Sequence, residues 1–169
     1  MELPICSFCA KTGMLCTGCQ RKLADGKITQ LDIELSKILS KIANKYPSLQ
    51  NVKITRAVAV DSFVLLEVRK QDISNIIGSN RRILNEIEQK LGQKIHVIEF
   101  AKSERKIIES LFSPVEVLGV NKIFVPDGSE EFKVRIRRID VRDLPMSEEM
   151  LQEATYALLQ RHIRIFLEE

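Results

Sequence analysis

All four cysteines of this 169-residue chain fall in one short stretch, Cys6-Ser7-Phe8-Cys9 and Cys16-Thr17-Gly18-Cys19, spaced C-x2-C-x6-C-x2-C. A disulfide framework distributes its bridges across a fold, whereas thiols gathered in one place point to a metal. Each C-x2-C pair can turn both sulfurs to the same side, and two pairs supply the four thiolates that tetrahedral zinc takes. The spacing predicts a structural zinc element over residues 1–28, a knuckle or ribbon with Gly13 and Gly18 at its tight turns, where positive φ favours glycine. Four protein ligands close the coordination shell, so the metal would hold the segment together and would activate no water. Three other readings stay open at this stage. A redox dithiol explains one pair and not two, paired local disulfides do not explain the matched spacing, and an iron–sulfur cluster also accepts four cysteines. Lys11, Arg21, Lys22 and Lys27 surround the element, a rim that suits phosphate or simply solvent.

Little else in the chain has the residue types for catalysis. It contains no G-x-x-x-x-G-K-[ST], G-x-S-x-G or H-E-x-x-H, and its two histidines, His96 and His162, each fall in or beside a strand-like segment. The expectation is a binding protein with no catalytic residues and no small-molecule substrate. No apolar run approaches the roughly 18 residues that span a bilayer, and the start, Met1-Glu2-Leu3-Pro4-Ile5, lacks the regions of a signal peptide. A soluble, cytoplasmic protein with no membrane partner is therefore expected. The net charge of +3 conceals an uneven distribution. Residues 1–102 hold 16 Lys and Arg against 10 Asp and Glu, and residues 103–169 hold 10 against 13, which makes the first part the platform for any polyanion.

The elements that must position these groups follow from periodicity. Thr29-Gln30-Leu31-Asp32 reads as an N-cap with an acid three residues on, and Leu31, Leu35, Ile38, Leu39, Ile42 and Tyr46 continue a helix up to Pro47. Val52, Ile54, Val58 and Val60 alternate, Asp61-Ser62 turns the chain, and Phe63–Val68 forms the second strand of a hairpin. A short helix from Gln71 leads into Gly78-Ser79-Asn80-Arg81. An amphipathic helix with Ile83, Leu84, Ile87 and Leu91 follows, closed by Gly92, and Ile95–Phe100 is a third strand. Residues 103–169 repeat the order imperfectly. A helix at 103–111 ends at Ser113-Pro114, strands lie near 115–125 and 131–138, Ser147 caps another helix, and Ile163–Leu167 closes as a strand. Lys133, Arg135 and Arg137 alternate with Phe132, Val134 and Ile136, placing three cations on one sheet face as a phosphate-contacting stripe, an exposed sheet face or an ion-pair array.

The stretch Ile76-Ile77-Gly78-Ser79-Asn80-Arg81-Arg82-Ile83, set between two helices in an α-β-β-α-α-β order, resembles a KH domain of type II topology. KH domains clamp about four nucleotides of single-stranded nucleic acid with a G-x-x-G loop. Gly78 matches the first glycine, and Arg81 stands where the second would be. The junction from Phe100-Ala101-Lys102-Ser103 to Ser113-Pro114-Val115-Glu116-Val117 is similar to the joint between tandem KH domains in the NusA family, and from about residue 50 to 168, most clearly from 63 to 120, the chain resembles the short archaeal NusA-like proteins. The resemblance implies an α+β protein with a KH-like domain at 29–102 and a second, degenerate KH-like domain at 103–169, preceded by the four-cysteine zinc element at 1–28, which departs from the family. In the second domain Asp140-Val141-Arg142-Asp143-Leu144-Pro145 replaces the first helix and the glycine loop.

The resemblance also implies RNA contacts at Ile77, Gly78, Ser79, Asn80, Arg81 and Arg82, with Lys70 and Lys90 nearby. Single-stranded or ribosomal RNA would be the ligand, and RNA polymerase or the ribosome the larger partner. The expected function is that of a transcription elongation or termination accessory factor. The alternatives are a factor associated with the ribosome or its assembly, and a protein-protein adaptor whose KH folds no longer bind RNA.

Overall fold

In the computed structural model, which describes residues 1–169, the cysteine segment is built of two short helices, α1 (Ser7–Thr12) and α2 (Thr17–Ala24), and not of the strands of a ribbon. Cys6 and Cys16 are their N-caps, and Cys9 and Cys19 lie three residues further on, in the first turns. The C-x2-C spacing is thus the spacing from a cap to the N3 position of a helix. Gly13 ends α1 in the left-handed region at φ 78°, as glycine at a helix C-terminus does. Gly18 departs from the expectation. It sits inside α2 without positive φ, and a Cβ there would lie 3.8 Å from the Cys16 sulfur.

Thr29 and Asp32 form a reciprocal capping box that opens α3 (Gln30–Ile42): the Thr29 hydroxyl accepts from the Asp32 N–H, and the Asp32 carboxylate accepts from the Thr29 N–H. Strand β1 (Ile54–Ala59) pairs antiparallel with β2 (Val64–Val68), and Ala59 lies opposite Val64 across the hairpin. A 3-10 turn (Lys70–Asp72) leads into α4 (Ile73–Ile77). After a second 3-10 turn (Ser79–Arg81), α5 (Arg82–Leu91) brings the chain back to β3 (Ile95–Glu99), parallel to β2. The helices bury Leu35, Leu39, Ile42, Ile76, Leu84 and Ile87 against Ala57, Val64, Leu66, Val68 and Ile95 of the sheet. The helical period foretells the stripe on the helices, but the alternation expected for the first strand does not hold: a bulge between Ile54 and Arg56 puts Ala57 in the core in place of Val58, and β2 is buried at every position.

The cysteine element shares its own small core with α3, made of Ile5, Cys9, Ala10, Cys19, Ile28 and Ile33. The N-terminus is tied to the same body, since Glu2 bridges Lys53 in a parallel fashion and exchanges hydrogen bonds with Val52 and Ile54 at 2.9 Å each. Residues Met1–Phe100 consequently form one compact unit, and Ala101–Glu169 form another.

The second unit runs α6 (Glu104–Phe112), β4 (Val117–Phe124), β5 (Glu130–Arg137), a 3-10 turn (Arg138–Asp143), α7 (Glu148–Leu159) and β6 (His162–Glu168). Its sheet has the order β4-β5-β6, with the first pair antiparallel and the second parallel, the same plan as β1-β2-β3. Ser103 caps α6 and Ser147 caps α7, each hydroxyl accepting a backbone N–H three residues on. The cationic stripe on β5 is neutralised locally. Arg135 donates to Glu168 at 2.9 Å, Arg137 to Asp140 at 2.8 Å, and the Lys133 ammonium stands 4.2 Å from the centre of the Phe166 ring. The two arginines of the stripe are therefore ion-paired, whereas Lys133 faces an aromatic ring. No helix in the chain is long and apolar enough to cross a membrane.

Candidate metal centre and nucleic-acid interface

The ligand atoms of Cys6, Cys9, Cys16 and Cys19 all lie within 4.8 Å of one another, and no two sulfurs are bonded. The Cys6 and Cys9 sulfurs are 3.3 Å apart, and those of Cys6 and Cys16 are 3.9 Å apart. A tetrahedral ion with bonds of about 2.3 Å to sulfur has edges of about 3.8 Å, so the donors fit such an ion with little movement. Two backbone N–H groups already point at the sulfurs, Cys16 to Cys9 at 3.0 Å and Cys19 to Cys16 at 3.4 Å. Such donors orient thiolate ligands and stabilise their charge.

The thiols do not ionise alike. The Cys19 N–H, aided by the neighbouring sulfurs of Cys9 and Cys19, brings Cys16 down to about 7. The Cys9 N–H and thiol lower Cys6. The Cys16 N–H pulls Cys9 down, yet burial and the three neighbouring thiols outweigh it and push Cys9 up to about 12. Four sulfurs this close cannot all carry charge unless a cation sits among them. The donor set therefore suits one soft divalent ion, held in a closed shell.

The second group of sequence-predicted residues surrounds the α4–α5 connection. Ile77 ends α4, and Gly78 follows with φ 71° and ψ 174°. A Cβ on Gly78 would come within 2.7 Å of Cγ1 of Ile83, so glycine is required there by both backbone and space. Ser79, Asn80 and Arg81 make the 3-10 turn, with Asn80 at φ 53° and Arg81 at φ 60°. Arg81, which occupies the place of a second glycine, thus takes the left-handed conformation that a glycine would favour.

The Arg81 guanidinium reaches back to the protein while about half of the side chain stays exposed. Its Nη2 lies 3.3 Å from Oε1 of Glu88, a side chain only 7% exposed that also accepts the Ile95 N–H at 2.9 Å and pairs with Lys94 at 3.5 Å. Arg82 is the first residue of α5 and Lys90 lies in its last turn, both on the surface. Lys70 is exposed on the 3-10 turn before α4. Residues 77–82 are therefore brought together, whereas Arg82 and Lys90 line a cleft of about 430 Å³ with Lys45, Tyr46, Asn85, Glu86 and Gln89.

Sequence reasoning missed Lys45 and Tyr46 as neighbours of this region. Both reach Glu86, the ammonium at 2.9 Å and the phenol through its hydroxyl. The Tyr46 hydroxyl and then the Lys45 ammonium hold the Glu86 carboxyl below its ordinary range, and Glu86 in turn raises Lys45. The i,i+4 ladder Arg82-Glu86-Lys90 signals charge pairing within one helix, but a partner 40 residues upstream leaves no local trace.

No family model matches the chain. It is 29% identical over 72 residues to the probable transcription termination protein NusA of Methanocaldococcus jannaschii, a stretch covering 43% of this chain and 39% of that protein. The chain thus matches well under half the length of this curated relative. Among solved structures it is similar to the crystal structure of APE1850, with a TM-score of 0.57 and 17% identity over 75% of this chain and 96% of that one. That likeness is one of fold.

Proposed function

We propose that this chain is an RNA-binding accessory factor of the NusA-like KH class that acts on nascent transcripts or on RNA polymerase. It works by equilibrium binding and carries out no catalysis. The observation that carries the reading is the 72-residue similarity to a probable transcription termination protein NusA. The α-β-β-α-α-β order of Gln30–Glu99 supports it, as does a glycine-led turn between two helices at Gly78. In this reading residues 29–102 are a type II KH domain whose Ile77–Arg82 segment holds single-stranded RNA, with Lys70 and Lys90 beside it. Residues 103–169 form a degenerate second KH unit, in which the Arg138–Asp143 turn takes the place of the glycine loop and which serves to orient the RNA or a partner. Residues 1–28 hold a structural zinc, favoured over iron by a closed thiolate shell with no role in electron transfer. The protein acts in the cytoplasm.

A second reading has one specific observation behind it. Because Arg81, at the place of the second glycine, is engaged by Glu88, the cation at that position of the loop is not free, which favours an adaptor whose KH fold has lost RNA. Retrieval of tagged protein from native extract, with and without ribonuclease, separates the two. RNA polymerase subunits that survive ribonuclease, together with RNA retained in its absence, are the expected result. Protein partners with no RNA would favour the adaptor, and a ribosomal subunit would move the function to ribosome assembly.

A further inference from the structure

Two cations on α5, Arg82 and Lys90, make no close ion pair because of the way the end of α3 docks, although the Lys90 charge still acts on Glu86 at longer range. Arg82, Glu86 and Lys90 lie four residues apart along one face of the helix, where Glu86 would ordinarily pair with both neighbours. Instead Glu86 is taken from the other side by Lys45 and Tyr46, the residues that follow α3. Neither Arg82 nor Lys90 makes an ion pair or side-chain hydrogen bond, and the amides of Asn85 and Gln89 between them are equally uncommitted. All of these groups open into the same cleft, which therefore holds three cations, two free amides and one carboxylate already satisfied.

From this geometry we infer that the α3–α5 cleft is a phosphate track for single-stranded RNA that continues from the Ile77–Arg82 loop, with Arg82 at the point where the two meet. The amides donate to phosphate or ribose, and the half-buried Tyr46 ring, with the Lys45 ammonium 5.2 Å from its centre, gives the cleft an aromatic wall. Arg82 is the last residue of the loop and the first of α5, so a strand leaving the loop enters the cleft beside it. From Arg82 to Lys90 the helix rises about 12 Å, the length of three to four stacked nucleotides. The inference rests on the proposal that the loop holds RNA, and it predicts a longer footprint than the loop alone would give.

The test compares mixed-sequence single-stranded RNA of four and of twelve nucleotides, binding to the full-length chain and to the double variant Asn85→Ala, Gln89→Ala, which alters the cleft and leaves every residue of the loop site in place. Both residues are exposed, and far-ultraviolet dichroism checks that the fold is kept. The wild type should bind the longer RNA more tightly. The variant should lose about tenfold affinity for the twelve-nucleotide RNA, as the loss of two hydrogen bonds to phosphate or ribose implies, and less than about twofold for the four-nucleotide RNA. Equal affinity of the wild type for both lengths, or equal loss for both in the variant, would overturn the track while leaving the loop in place. Absence of binding to either length would overturn the RNA reading and the track with it. Saturable binding of inorganic pyrophosphate at micromolar concentration, without length dependence for RNA, would overturn it by giving the cleft a small-molecule occupant.

Discussion

Arg81 and the buried Glu88 are joined across the first two turns of α5, with Nη2 of one 3.3 Å from Oε1 of the other, and that same oxygen accepts the backbone N–H of Ile95 at 2.9 Å. One carboxylate therefore fixes the loop, the helix and the start of β3 at once. Burial of an acid is tolerated only when its lone pairs are used in this way.

Removing that carboxylate should be costly. Glu88→Ala leaves the Ile95 N–H without its acceptor and Arg81 and Lys94 without their counter-charge. A loss of about 1–3 kcal/mol in urea unfolding is expected. A change below about 0.5 kcal/mol would mean that the network contributes no stability.

The two glycines that bracket α5 allow a sharper comparison. Both have positive φ, 71° at Gly78 and 79° at Gly92, but a Cβ on Gly78 would meet Ile83 at 2.7 Å, whereas nothing lies within 4 Å at Gly92. Gly92→Ala should cost about 1 kcal/mol, the backbone penalty alone, and Gly78→Ala distinctly more. Equal melting temperatures for the two variants would contradict the steric part of this account.

The same stretch shows where sequence reading succeeds and where it stops. The capping box of Thr29 and Asp32 is legible because its partners are three residues apart. The other Asp32 oxygen accepts the Ala57 N–H at 2.7 Å, 25 residues away, and nothing local announces it. The cysteine spacing announces a metal but not the helices, because an N-cap and its N3 position have the same separation as the two ends of a knuckle turn. Arg81 is visible as a charge in a loop. That Glu88, seven residues on, engages it depends on the left-handed turn at Asn80 and Arg81, which sequence period does not encode. Arg135 likewise reads as a free cation until β6 brings Glu168 alongside.

Metal removal should loosen the first helices selectively. Cys9 and Cys19 are part of the small core with Ile5, Ile28 and Ile33, so chelation withdraws the centre of that cluster while the β1-β2-β3 sheet keeps its own core. Hydrogen exchange after chelation should show lost protection in α1 and α2 and retained protection in β2. Ionisation of the thiols accompanies binding, so zinc affinity should rise with pH and protons should be released on loading. Unchanged protection in α1 and α2 would contradict a structural role for the ion.

His96 should make the fold acid-sensitive. Burial, reinforced by the positive charge of Arg81 and opposed by Glu88, holds its pKa below the ordinary 6.5. The unfolded chain therefore takes up the proton first as pH falls, so the contribution of His96 is complete above about pH 6.5 and declines below it, levelling off once the folded state also protonates. Melting temperatures measured between pH 7.5 and 5 should fall more steeply for the wild type than for His96→Gln. Parallel curves would assign the acid response to other groups.

The central claim is that the chain binds single-stranded RNA through phosphate contacts. The most direct measurement is an equilibrium titration of the full-length protein with a labelled twelve-nucleotide mixed-sequence RNA at several salt concentrations. The account predicts saturable binding whose logarithm falls linearly with the logarithm of salt, with a slope steeper than about −2, as three or more phosphate contacts require. No saturable binding at about 50 mM salt, where such contacts are strongest, would contradict it.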